Sequence, residues 1–134
     1  MSLINDLQYG AEKEEKHLNV IREKFDMSLK KIKDEFFHFD FGCEKCYVEL
    51  KSRRNNHNKY PSTMVGYDKV KYASHTNRPV YFVFAFDDGL YYWKYNEDDL
   101  AGPDIEIKKG GRCDRGRKEI KDYVFINTSI LIKI

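Results

Sequence analysis

Apolar residues near the start of the chain recur at helical spacing. Leu7, Ala11, Leu18, Ile21 and Phe25 fall on one stripe, separated by steps of three and four or their multiples. The spacing predicts a helix from residue 3 to about residue 34, with Asp26 or Ser28 capping a second helical piece through Leu29 and Ile32. Position 14 of the stripe is an acid, Glu14. The period then shortens to two. Phe36-Phe37-His38-Phe39-Asp40-Phe41 reads as a strand, Gly42–Lys45 as a turn, and Cys46-Tyr47-Val48-Glu49-Leu50-Lys51 as the returning strand. After a polar loop from Ser52 to Lys59, Pro61-Ser62-Thr63 reads as the entry to a helix over Met64 to Ser74. Pro79 to Phe86 is an apolar strand suited to burial on both faces, and Asp87-Asp88-Gly89 turns it into a partner, Leu90 to Tyr95. Residues 96–121 read as polar and irregular, before closing strand character at Tyr123–Ile126 and Ser129–Ile134.

The order helix, hairpin, helix, hairpin and strand-like tail predicts an α/β (α+β) domain with helices covering a mixed central β-sheet. A length of 134 residues suits one domain and leaves no room for two. Hydrophobic residues at 41% and aromatics at 15% supply a core and exclude global disorder. No apolar run approaches the roughly 18–20 residues that span a bilayer. The first residues, Met1 to Asp6, lack the basic start and apolar stretch of a signal peptide. The expectation is a soluble, intracellular protein of the cytoplasm with no membrane partner. The net charge of +2 excludes a polycation, so any nucleic-acid contact must come from local clusters. Three cysteines form an odd set that argues against a disulfide framework. Abundant Lys, Asn and Tyr hint at an AT-rich source of viral type.

Strand parity gives the charged residues a chemical meaning. Glu49 and Lys51 are two apart and share a face, while Val48 and Leu50 point into a core. Phe37, Phe39 and Phe41 take one face of the preceding strand, and His38 and Asp40 the other. A hairpin loop of even length brings Asp40 to the face of Glu49 and Lys51, whereas a one-residue slip would undo it. Two carboxylates at close range repel, and a divalent cation relieves that repulsion. Oxygen ligands favour Mg²⁺ or Mn²⁺ over zinc. Such an ion, with a lysine beside it, is the equipment for phosphodiester hydrolysis. Three charged residues on a strand would otherwise read as a solvated face; the apolar backs of both strands argue for a position near the core.

On Asp40 and the run Val48-Glu49-Leu50-Lys51, the chain resembles the PD-(D/E)XK nuclease superfamily over roughly residues 10–95. An acid on one strand and Glu-x-Lys on the next, preceded and followed by helices, is that superfamily's pattern; no proline precedes Asp40 here. The resemblance implies a restriction-endonuclease-like core and Mg²⁺-dependent cleavage of DNA, less often RNA. It implies Asp40, Glu49 and the backbone carbonyl of Leu50 as metal ligands, with Lys51 serving the nucleophilic water. Many resembling proteins bring a first-helix glutamate to the metal. The helical stripe favours Glu14 for that role, with Glu15 next and Glu12 competing; the alternative is a rotated helix with Glu14 in water.

Arg53, Arg54 and Lys59 follow directly on Lys51 and suit phosphate oxygens, and Lys69 and Lys71 sit on the following helix with Tyr60 and Tyr67 nearby for stacking. Lys69 is positioned to face the active site, as a polar residue does in resembling enzymes. A second basic, glycine-rich cluster contains Arg112, Arg115 and Arg117 and could track a nucleic-acid backbone. The alternative for both clusters is a soluble loop, and Asp114 and Glu119 dilute the second. Cys43-x-x-Cys46 has zinc-knuckle spacing, but a closed zinc site needs four ligands and only Cys113 offers a third, so ordinary turn cysteines are favoured. The leading expectation is a DNA nuclease whose small size calls for a homodimer or a partner protein. The alternatives are a catalytically silent nucleic-acid-binding domain of the same fold and a small interaction domain organised by Cys43 and Cys46.

Overall fold

The computed structural model describes residues 15–34, 36–110 and 121–134. Residues 15–24 form helix α1, and Leu18 and Ile21 of the predicted stripe are buried, with Phe25 packed beside them. Leu7, Ala11 and Glu14 lie outside the described residues. The helix does not run on to residue 34. The Asp26 carboxylate accepts the Ser28 N–H at 2.8 Å and turns the chain into strand β1 (Lys30–Lys31). Leu29 and Ile32 fit helical spacing, but in extended chain they diverge into two different cores.

The aromatic run is strand only at its end, β2 (Phe41–Gly42). Before it, Asp34 accepts the Phe36 and Phe37 N–H groups in a turn, and Phe36 is exposed. Phe37 and Phe39 therefore enter the core opposite to that of Phe41, which breaks the predicted alternation. Strand β3 (Tyr47–Ser52) pairs antiparallel with β2 through Phe41↔Val48 and Gly42↔Tyr47, so the reversal is residues 43–46 and even in length.

The segment after the polar loop departs from expectation. Ser62–Gly66 is a strand, β4, and only Tyr67–Ala73 is helix, α2. Thr63 and Val65 alternate inward, a period of two that Pro61 masked by resembling a helix entry. Strands β5 (Val80–Phe86) and β6 (Gly89–Lys94) form the expected hairpin, with β5 buried on both faces except at Tyr81. Gly89 turns it with φ of +138°, a conformation that only glycine adopts without strain. Where irregular chain was expected after residue 96, the described residues 96–110 hold α3 (Glu97–Leu100), capped by Asn96, and strand β7 (Ile105–Gly110). Strand β8 (Lys121–Asn127), a 3₁₀ turn (Thr128–Ile130) and β9 (Ile132–Lys133) close the chain.

The main sheet has the order β1-β2-β3-β5-β6-β9, and β3–β5 is its parallel pair; the second sheet is β4-β8-β7, antiparallel throughout. This is a mixed α+β fold consistent with a restriction-endonuclease-like core. The parallel pair makes the chain leave the main sheet between β3 and β5, and β4 and α2 occupy that excursion. One core packs Val48, Phe41 and Val83 of the main sheet against Leu18 and Ile21 of α1. The other joins Phe82, Phe84 and Trp93 to Val70 of α2 and to Val65, Val124 and Ile126 of the second sheet. No described helix is long and apolar enough to cross a membrane.

Candidate active site

The register Phe41↔Val48 continues to Asp40 opposite Glu49, which puts both acids on the face of the main sheet that meets α2 and the second sheet. Two backbone contacts fix Asp40. Its carbonyl accepts the Ile32 N–H at 2.8 Å, and its carboxylate accepts the Leu50 N–H at 2.8 Å. Leu50, expected to contribute through its backbone, thus holds the neighbouring acid through its amide.

Glu49 is 3% exposed and stands beside the buried ring of Phe82 across the parallel pair. Its Oε2 is buried without a hydrogen-bond partner. Two ammonium groups flank that oxygen, Lys51 Nζ at 3.9 Å and Lys69 Nζ at 3.8 Å. Burial, with Asp40 as hydrogen-bond partner and like charge, pushes the Glu49 carboxyl up to about 8; Lys51 and Lys69 pull against this and do not overcome it. Lys69 comes from α2, whose Val70 and Ala73 anchor it in the core, and its Nζ donates to the His38 carbonyl at 2.7 Å. His38 is held there by stacking on Tyr72, with centroids 4.1 Å apart. Sequence reasoning put His38 beside Asp40 as a side chain. Its backbone oxygen and its ring contact with α2 are what bear on the site, and the irregular backbone at 36–39 left no periodicity to reveal them.

Asp40, Glu49, Lys51 and Lys69 are therefore brought together, while Glu15 is exposed on α1. Among the described residues no group of three or more His, Cys, Asp or Glu side chains forms a metal cluster. The donor set still fits a hard cation. Two carboxylates converge, one oxygen is orphaned and buried, and Mg²⁺ commonly takes one or two protein carboxylates and keeps its waters.

The basic residues separate. The Arg53 guanidinium is committed inside the fold, donating to Met64 O at 2.7 Å, Ser52 O at 3.2 Å and Thr63 Oγ1 at 3.3 Å, and burial lowers its pKa. These bonds fasten the end of β3 to β4. Arg54, Lys59 and Lys71 are exposed, and Lys59 Nζ lies 5.6 Å from the Tyr60 ring centroid. Arg112, Arg115 and Arg117 lie outside the described residues. The loop carrying Arg54 and Lys59 is pinned to the β5–β6 turn: His57 N–H donates to Asp88 at 2.8 Å, the His57 ring hydrogen-bonds the same carboxylate, and that ring stacks on Tyr91.

No curated protein matches the chain. A family model described as "Phage putative PDDEXK endonuclease" matches residues 8–134, which takes in Asp40, Glu49, α2 and the second sheet. The sequence run Asp40…Glu49-x-Lys51, its assembly on one sheet face and this match over nearly the whole length agree, and the chain belongs to that phage PD-(D/E)XK endonuclease family.

Proposed function

We propose that the protein hydrolyses phosphodiester bonds of DNA with the help of Mg²⁺ or Mn²⁺, at a site made by Asp40, Glu49, Lys51 and Lys69. The observation that carries this reading is the buried, unpartnered Oε2 of Glu49 between two lysines and beside a second carboxylate. A buried carboxylate oxygen without a hydrogen-bond donor is not ordinarily retained unless it serves a function. Asp40, Glu49 and the Leu50 carbonyl would hold the ion, and Glu14 stands as a further candidate. When bound, the ion would acidify water and offset negative charge on the phosphate.

The remaining work belongs to the chain's own side chains. The Lys51 side chain is 37% exposed, which leaves its ammonium able to reach solvent and substrate. It orients the attacking water by hydrogen bonding and neutralises charge that develops on the phosphoryl oxygens. Lys69 is less exposed and tethered to the His38 carbonyl, so it holds the Glu49 carboxylate in place and contributes fixed positive charge. Arg54, Lys59 and Lys71 supply exposed cations for phosphates farther along the substrate, with Arg112, Arg115 and Arg117 as further candidates.

The test is incubation of the purified chain with supercoiled plasmid, linear duplex and single-stranded DNA and with RNA, in Mg²⁺, Mn²⁺ or chelator. The expected result is metal-dependent cleavage of DNA that Lys51→Ala reduces at least about a hundredfold with the fold intact. Equal cutting by wild type and variant would overturn the assignment of the site. Binding of DNA without cleavage in either metal would identify a silent binding domain instead.

A further inference from the structure

The turn that joins β2 to β3 carries chemistry that phosphodiester hydrolysis does not use. Cys43 and Cys46 are the first and last residues of that turn. The Cys43 N–H donates to the Cys46 carbonyl at 3.0 Å, and the register Gly42↔Tyr47 makes the two cysteines the next opposed pair. Directly opposed residues share a face, so both side chains join the core beneath α1, on the opposite side of the sheet from Asp40 and Glu49. Their Sγ atoms lie 3.8 Å apart, and both thiols are free.

The backbone is already close to what a cross-link requires. The ends of a β-turn lie within about 7 Å, and disulfides usually join Cα atoms about 4.4–6.8 Å apart. Side-chain rotation closes the sulfur–sulfur gap. The two thiols also differ in environment. Cys43 is partly exposed and Cys46 is buried. Burial of Cys43 disfavours its thiolate, but the Ser28 hydroxyl (whose single proton also serves Asp26), the Lys45 and Cys46 amides and the Cys46 thiol outweigh it and bring its pKa below the ordinary thiol value. Burial first, and then Cys43 itself, push Cys46 up to about 12. An accessible sulfur disposed to be the nucleophile therefore lies against a buried one that keeps its proton. Among the described residues no group of three or more His, Cys, Asp or Glu side chains surrounds the pair, and Cys113 lies outside those residues.

We propose that Cys43 and Cys46 form a thiol–disulfide exchange site that takes a small-molecule disulfide of the glutathione type. The Cys43 thiolate attacks one sulfur of that disulfide. The disulfide bond breaks, one thiolate departs and takes up the proton that Cys43 released, and a mixed disulfide remains on Cys43. Cys46 then loses its proton, attacks the Cys43 sulfur and expels the second small thiol. Two electrons pass from the cysteine pair to the small disulfide, giving one Cys43–Cys46 bond and two free small thiols. The product would staple the hairpin that sets Asp40 opposite Glu49. The proposal is independent of the nuclease reading, because the exchange is followed without nucleic acid or metal.

The experiment uses the full chain carrying Cys113→Ser, which removes the third thiol. The protein is incubated with oxidised glutathione in chelator, quenched in acid, alkylated and weighed intact. The expected product is lighter than the dithiol by two hydrogens, carries no glutathione and no alkylating label, and returns to the dithiol with dithiothreitol. In the untreated protein, peptide mapping under limiting iodoacetamide should find Cys43 alkylated at least about tenfold faster than Cys46. The further change Cys46→Ser, checked for folding by circular dichroism, should stop the reaction at a stable glutathione adduct on Cys43. A lasting adduct on Cys43 while Cys46 stays free would overturn the proposal. So would two unreactive thiols, or stoichiometric zinc whose removal is needed to expose them.

Discussion

Glu49→Gln separates the two consequences of burying an acid beside another acid. In the metal-free protein the Glu49 carboxyl titrates at about 8 instead of near 4.5. The unfolded chain ionises near the lower value, so between the two the native state binds more protons than the unfolded state. Stability from this group is therefore greatest at low pH and falls as pH rises from about 4.5 to about 8, beyond which the loss is complete. At about 1.36 kcal/mol per pH unit the full interval corresponds to roughly 4–5 kcal/mol, an upper figure because local relaxation admits water. Glutamine keeps the shape and carries no charge, so it escapes this loss. Urea unfolding of both proteins in chelator from pH 5 to pH 9 should give similar midpoints at the acid end and a variant more stable by about 3–5 kcal/mol at the alkaline end. Other titrating groups change stability in both proteins alike and cancel in the difference. The same substitution should abolish cleavage, the stability–activity trade expected when a strained group is retained for its chemistry. A difference that stays flat with pH, or a variant that loses stability at pH 9, would refute the account of Glu49.

Lys69→Met removes a cation 3.8 Å from Glu49, so the alkaline loss of wild-type stability should move to higher pH; the same urea series measures it, and an unmoved or lower midpoint would argue against the pairing. Arg53→Met should destabilise by about 1–3 kcal/mol because Met64 O loses its donor, while DNA affinity by filter binding changes less than about twofold; exposed Arg54→Ala should do the reverse, leaving stability within about 0.5 kcal/mol. Gly89→Ala forces a side chain onto a backbone at φ of +138° and should cost about 1–3 kcal/mol in thermal unfolding, with an unchanged midpoint counting against the turn geometry.

The residues that form the acid site were legible because strand parity is a strong constraint. One even loop sufficed to bring Asp40 opposite Glu49, and the structure supplies it as residues 43–46 instead of 42–45. Lys69 was legible as a polar position on the helix after the Glu-x-Lys strand, though the helix starts three residues later than its sequence suggests. Of the second sheet only β8 was legible, as the closing strand character at Tyr123–Ile126. Ile105 and Ile107 alternate with Glu106 and Lys108, but a two-residue alternation in a polar setting is no stronger than chance, and what makes it a strand is Val124 and Ile126 opposite. Phe37, Phe39 and Phe41 misled for the converse reason. Their regular spacing is real, yet Asp34 takes the Phe36 and Phe37 amides into a turn and sends the rings to different cores. The hydrogen bonds of Arg53 were invisible, since a basic residue after a Glu-x-Lys strand reads as phosphate-binding until its acceptors are seen.

The edges of the sheets bear on how the protein behaves at high concentration. The main sheet ends in strands of two residues on both sides, Lys30–Lys31 and Ile132–Lys133, each carrying lysine. Short, charged borders give another chain little to zip onto, so the large apolar sheet beneath the acid site is shielded from runaway edge-to-edge growth. In the second sheet Arg53 occupies a β4 carbonyl, which blunts that border too. Among the described residues strand β7 is the border left open. It is six residues long, with Ile107 45% exposed, and its outer backbone groups are a template for one more strand. Among the described residues, self-pairing by strand addition would therefore fall to β7, on the opposite side of the second sheet from β4.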